Sequence, residues 1–235
     1  MDLFSGVMYA IRLGQLNSFS QERGWEFYHI LRDYSLEQRY PHFSCLRRGK
    51  DRFAYNIMSG QYEGYALTAF DYHYHIESRR KRPRHSTQPG FSVDLGHGFR
   101  FSVADPPEVK HYEFSSVILE TDLPLRSLSI RPSNAFMRGV SDFIGTSGVQ
   151  FELTEFNDQF HVDAPETSWA FDVLPQKTLE FLLCCPRFSL QMEDGLIIVY
   201  RDNLFSPEEF ISALDLMVGM LQRLPDYLLR ELQEQ

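Results

Sequence analysis

The sequence predicts an α+β fold, with an antiparallel or mixed sheet built from hairpins and packed by a long C-terminal helix. Three observations carry that expectation. Aromatic-rich or alternating runs flank the turn dipeptides Glu63-Gly64 and Asp194-Gly195, as two-residue hairpins require. Ser206-Pro207 with Glu209 three residues after the serine spells a capping box, and Phe210, Leu214, Met217, Leu221 and Leu224 follow at helical spacing. Consecutive strands are joined by tight turns and few helices, which argues against repeated βαβ units. One α+β domain over residues 1–235 is expected, interrupted by a long polar insertion at 77–110.

The elements follow in order. Residues 1–16 carry Leu3, Phe4, Val7, Met8, Ile11, Leu13 and Leu16, interrupted by Asp2, Arg12 and Gln15, and read as an amphipathic helix. A short helix is expected over 21–38, from Trp25, Phe27, Tyr28, Leu31 and Tyr34, with Pro41 ending it. Residues 53–76 form the first hairpin. Inside the insertion, Phe91-Ser92-Val93-Asp94 and Phe99-Arg100-Phe101-Ser102-Val103 alternate around Gly96-His97-Gly98 as a small hairpin. Strands are expected at 112–120 and 125–130, and a helix at 133–143. Residues 151–162 fit either a strand pair around Asn157-Asp158 or a strand broken by a helical turn. Pro175 opens a helix that Pro186 closes, and the hairpin 188–200 contains an inner strand at Ile197, Ile198 and Val199.

Composition bounds the function classes. Net charge is −9, but residues 41–112 hold 11 Lys and Arg against 7 Asp and Glu, so a basic middle is set in an acidic chain. That balance disfavours wrapping of long nucleic acid. The three cysteines, Cys45, Cys184 and Cys185, show no zinc or CxxC spacing and fit no complete disulfide framework, so a reducing, cytoplasmic compartment is expected. The apolar N-terminus is too short and too interrupted for a signal peptide or a span of about 20 residues. No P-loop, GxSxG, HExxH, EF-hand or dinucleotide-binding pattern occurs. No catalytic residue or cofactor is implied.

Several stretches resemble a family of uncharacterised bacterial proteins, many of them membrane-anchored through helices ahead of a cytosolic domain. The shared residues are Glu22-Arg23-Gly24-Trp25, Arg48-Gly49, residues 56–60, Gly64 and Phe70-Asp71-Tyr72. They continue with Phe156-Asn157, Phe160, Val162, Leu174-Pro175, residues 179–182, Tyr200-Arg201-Asp202, Pro207-Glu208-Glu209 and Pro225. The resemblance implies a fold and, for the relatives, a juxtamembrane setting. It implies no activity and no site residues.

Two constellations are candidate sites. If Glu63-Gly64 is a two-residue turn, facing residues of the hairpin sum to 127, so Arg48 faces Arg79 and Arg47 approaches Arg80. With Lys50, Lys81, Arg82 and Arg84 these form an anion-binding patch. Its expected partner is an anionic membrane surface or an acidic protein, with nucleic acid less favoured. Alternatively, Asp71, His73 and His75 alternate along one strand and share a face, as a two-histidine, one-carboxylate metal site requires. A third expectation is a structural subunit of an assembly, a homo-oligomer included, with its apolar N-terminus as the contact. A non-enzymatic binding domain is the leading expectation, ahead of a metal-dependent enzyme. Cys184-Cys185 and Trp169 read as packed residues.

Overall fold

A computed structural model describes residues 3–29, 32–78, 92–94, 100–102, 107–133 and 148–234. In chain order the elements are helix α1 (Leu3–Glu22), strand β1 (Glu26–Tyr28), helix α2 (Leu36–Arg39), a 3-10 turn at Ser44–Arg47, and the long strands β2 (Lys50–Tyr62) and β3 (Tyr65–Ser78). Short strands β4 (Ser92–Asp94) and β5 (Arg100–Ser102) pair with each other, and β6 (Glu108–Glu120) and β7 (Leu128–Pro132) follow. Next come α3 (Thr154–Gln159), β8 (Phe160–Asp163), α4 (Thr167–Val173), α5 (Gln176–Cys184), β9 (Ser189–Glu193) and β10 (Leu196–Arg201). The chain closes with α6 (Pro207–Leu221) and α7 (Asp226–Gln233). Eight strands make one antiparallel sheet in the order β1-β2-β3-β6-β10-β9-β7-β8, so the fold is α+β.

Both hairpin turns form because their two central residues adopt positive φ: Glu63 at 49° and Gly64 at 89°, Asp194 at 47° and Gly195 at 75°. Strand β10 lies between β6 and β9. Ile197 and Val199 face one layer and Ile198 and Tyr200 the other, which makes it the buried inner strand expected. One face of the sheet packs α1 and α3–α7, whereas the other packs α2 and the 3-10 turn through Leu36, Phe43, Cys45 and Leu46. On α6 the capping box is complete, with Ser206 Oγ accepting from Glu209 N and Glu209 Oε2 accepting from Ser206 N. Phe210, Leu214, Met217, Leu221 and Leu224 are all buried.

The helix expected over 21–38 does not form. The helical run ends at Glu22, Gly24 turns the chain at φ 67°, and residues 26–28 add an edge strand to β2. Tertiary packing overrides the local pattern there: the Trp25 ring lies against Gly60 and its Nε1 donates to Gln61 O at 3.0 Å. At 151–162 neither alternative forms in full: helix α3 leads directly into strand β8 with no strand at 151–153, where Asn157 bonds the backbone N and O of Phe151 and closes that loop. The helix expected at 133–143 lies outside the described residues from 134 onward.

Strand β2 carries two irregularities that the turn rule misses. Pairs sum to 127 from Tyr62↔Tyr65 to Met58↔Ala69, then to 126 at Tyr55↔Asp71, then to 125 at Lys50↔His75. Each step is a bulge with one extra residue on β2, and each contains a residue at positive φ: Asn56 at 50° and Asp51 at 46°. The β3–β6 register, by contrast, runs unbroken from Ala66↔Glu120 to Ser78↔Glu108.

The contact at Gly60 is directly testable. A Cβ there would stand 2.3 Å from Trp25 Cδ1, so Gly60→Ala should cost roughly 1–3 kcal/mol as overpacking. Urea denaturation should read this as a lowered midpoint at unchanged slope. A variant as stable as the parent would show that Trp25 does not hold β1 in this way.

Candidate functional site

The carboxylate at the centre of the sheet accepts four hydrogen bonds from three residues. Asp71 is fully buried on β3, beside Ser115 of β6 and opposite Tyr55, where the β2 bulge turns Asn56 inward. Arg12 of α1 grips it with both ends of its fork, Nε donating to Oδ2 at 2.7 Å and Nη2 to Oδ1 at 2.6 Å. Ser115 Oγ donates to Oδ1 at 2.5 Å and Asn56 Nδ2 to Oδ2 at 2.9 Å. The remaining Arg12 nitrogen, Nη1, donates to Phe205 O at 2.8 Å, and Phe205 N donates to Ser115 Oγ at 2.8 Å. Burial works to lower the Arg12 pKa, but the hydrogen bonds and charge of Asp71 outweigh it and hold the guanidinium cationic.

This network answers the metal expectation. Asp71, His73 and His75 do share a face, but both Asp71 oxygens already accept two hydrogen bonds each. Among the described residues no group of three or more His, Cys, Asp or Glu is arranged to hold a metal ion. Asp71 is therefore the counter-ion of Arg12, not a ligand beside the histidines.

The histidines belong instead to a row further along the same face. His75 pairs across the strands with His111, and His73 with Glu113, so His73 and His111 are diagonal neighbours. His73 Nε2 lies 3.4 Å from His111 Nδ1, and the His73 ring stacks on Phe53 with centroids 4.7 Å apart. Burial holds the His73 imidazole below its usual pKa. His75 is flanked by Asp51 at 3.4 Å and Glu77 at 3.5 Å.

The expected cationic patch divides. The shifted register starts β2 at Lys50, so Arg48 and Arg47 precede the ladder and Arg48 has no cross-strand partner in it. Arg48 turns instead toward β10, over the Tyr200 ring at 5.5 Å and 3.6 Å from Asp202. Lys50 Nζ pairs with Glu77 at 2.7 Å, and the neighbouring Arg52 with Glu37 at 2.7 Å. Arg47 is exposed and has no carboxylate partner among the described residues. Arg79, Arg80, Lys81, Arg82 and Arg84 lie outside the described residues, directly after Ser78 at the end of β3.

Arg12 and His111 escaped the sequence-level reasoning. In the sequence Arg12 only interrupts an apolar stretch; its burial against the sheet requires a counter-ion, which Asp71 supplies from 59 residues away. His111 comes into the row only through the β3–β6 pairing, which has a long insertion between its strands. On the outward side of α1, Val7, Met8 and Ile11 are each about half exposed. Cys45 is buried and its thiol is pushed up to about 12 by burial, as an inert core residue.

Removing Arg12 should leave a buried, uncompensated carboxylate. Arg12→Met is expected to lower stability by about 3–5 kcal/mol, measured by denaturant titration. A loss below about 1 kcal/mol, the range of exposed pairs, would mean that water reaches Asp71 and that the pair does not anchor α1.

No protein-family model matches the chain, and no curated protein matches it in sequence. Among solved structures it is similar to the crystal structure of the mycobacterial trehalose monomycolate transport factor A, TtfA. The TM-score is 0.57 at 11% identity, over 91% of this chain and 96% of that one. That likeness is one of fold. No helix among the described residues is long and apolar enough to cross a membrane.

Proposed function

We propose that this chain is a non-enzymatic binding domain that meets an anionic partner with the cationic segment around Arg47 and the run 79–84. The observation that carries the proposal is the Lys50↔His75 pairing together with the Lys50–Glu77 ion pair. These, with Gly49 packed against His75 O, set residues 49–50, two positions after Arg47, beside the last residues of β3, immediately before that run begins. Cations gathered at one end of a sheet repel one another unless an anion or water separates them. Arg48 and Lys50 are spent on Asp202 and Glu77, so Arg47 and the run supply the contact. A fold shared with a protein named as a transport factor is compatible with such a role. The membrane surface is the favoured anion, because an acidic remainder opposes long nucleic acid.

Co-sedimentation with phosphatidylserine-containing vesicles tests this. Binding should exceed that to neutral phosphatidylcholine vesicles and fall as salt shortens the Debye length from ~10 Å at 0.1 M to ~3 Å at 1 M. It should also fall when Arg47 and the five cations of 79–84 are replaced by Gln. Equal binding by that variant, or binding only to short nucleic acids, contradicts the proposal.

A second reading, self-assembly through α1, is favoured by the half-exposed Val7, Met8 and Ile11. Light scattering on the full chain should then give a dimer or larger species that Val7→Ser with Ile11→Ser reduces to a monomer. A monomeric parent chain rejects it.

A further inference from the structure

We propose that His73 and His111 form a binding site for a late first-row divalent cation, with Zn2+ as its simplest occupant. The proposal rests on the geometry of the β3–β6 arm and is independent of the anionic partner. Two imidazole nitrogens bound tetrahedrally at about 2.0–2.1 Å from one zinc lie about 3.4 Å apart. His73 Nε2 and His111 Nδ1 stand at 3.4 Å. Their backbones are fixed by the unbroken register that makes them diagonal neighbours.

The surroundings select which nitrogen of His73 faces inward. Glu113 Oε1 lies 3.8 Å from His73 Nδ1, on the opposite side of the ring from His111. At that distance the Glu113 charge acts through space rather than by a hydrogen bond, and it favours a proton on Nδ1 and a lone pair on Nε2 toward His111. Stacking on Phe53 fixes the ring plane, with Arg32 over the same Phe53 ring at 4.9 Å. His75, whose ring is 5.7 Å from that of His111, has both nitrogens facing carboxylates, Asp51 and Glu77. That explains why two histidines, not three, make the pair. Asp51, Glu77 and Glu113 outnumber Lys50 and Arg32 around the row, so the local field favours a cation. Imidazole nitrogen selects zinc, copper or nickel over magnesium or calcium, which prefer oxygen. Water completes the coordination of the bound ion.

The test is calorimetric titration of the tag-free full chain with ZnCl2, with MgCl2 as control, alongside NMR of the histidine ring resonances. The expected result is saturable uptake of one Zn2+, no uptake of Mg2+, and simultaneous shifts of the His73 and His111 resonances. Saturable uptake should disappear in His111→Gln, and Glu113→Gln should weaken it by about 10-fold or more. Absence of saturable Zn2+ uptake by the parent chain, or equal uptake by His111→Gln, overturns the site and leaves a metal-free His–His hydrogen bond. The paired resonance shift in the parent chain needs no variant, so a folding defect in either variant leaves the proposal testable.

Discussion

The buried ion pair between Arg12 and Asp71 is the constraint on which the arrangement of this protein depends. It joins α1, the bulge of β2, the middle of β3, β6 and the backbone leading into α6 at one point. Charges removed from water cost several kcal/mol each unless they are fully paired and hydrogen-bonded. Here the pairing is close to complete, with Asn56 Oδ1 without a partner among the described residues. Hydrophobic burial would press α1 onto the sheet in many registers, and Leu16 and Phe19 do supply that pressure. A bidentate guanidinium fixes one register, because a slip of one residue would strand both charges in a dry site.

Such an anchor explains where chemistry is and is not available. The acidic residue most suggestive of catalysis is consumed in holding the helix. Tyr200-Arg201-Asp202 is spent similarly: Asp202 takes Arg48, while Arg201 pairs with Glu209 of the capping box and covers Phe188 and Phe205. What faces outward is different in kind. It comprises the end of the β3–β6 arm with its histidine row, the exposed cation Arg47, and the half-exposed apolar side chains of α1.

The legible part of the fold was local. Turn chemistry at Glu63-Gly64 and Asp194-Gly195, and the cap at Ser206, act over a few residues, so their consequences can be read directly from the chain. The β2 bulges could not be read in this way. Asn56 and Asp51 enter the left-handed region where side chains of the facing strand β3 engage them, Asp71 for Asn56 and His75 for Asp51, and each bulge moves every later pair by one residue. This is why Arg48 missed the ladder position expected of it. Residues 26–28 failed for a related reason, since an aromatic-rich run becomes strand or helix according to what it packs against, here the β2 edge and Gly60. The candidate metal face was half legible: alternation put the histidines together correctly, but alternation cannot show that Asp71 already has a partner 59 residues away.

A double-mutant cycle on Arg12 and Asp71, using Arg12→Met, Asp71→Leu and the double variant, tests the central claim most directly. The expected result is strong coupling, about 1–3 kcal/mol, with loss of hydrogen-exchange protection in α1 in both single variants. Additivity within about 0.5 kcal/mol, with α1 still protected, would contradict it.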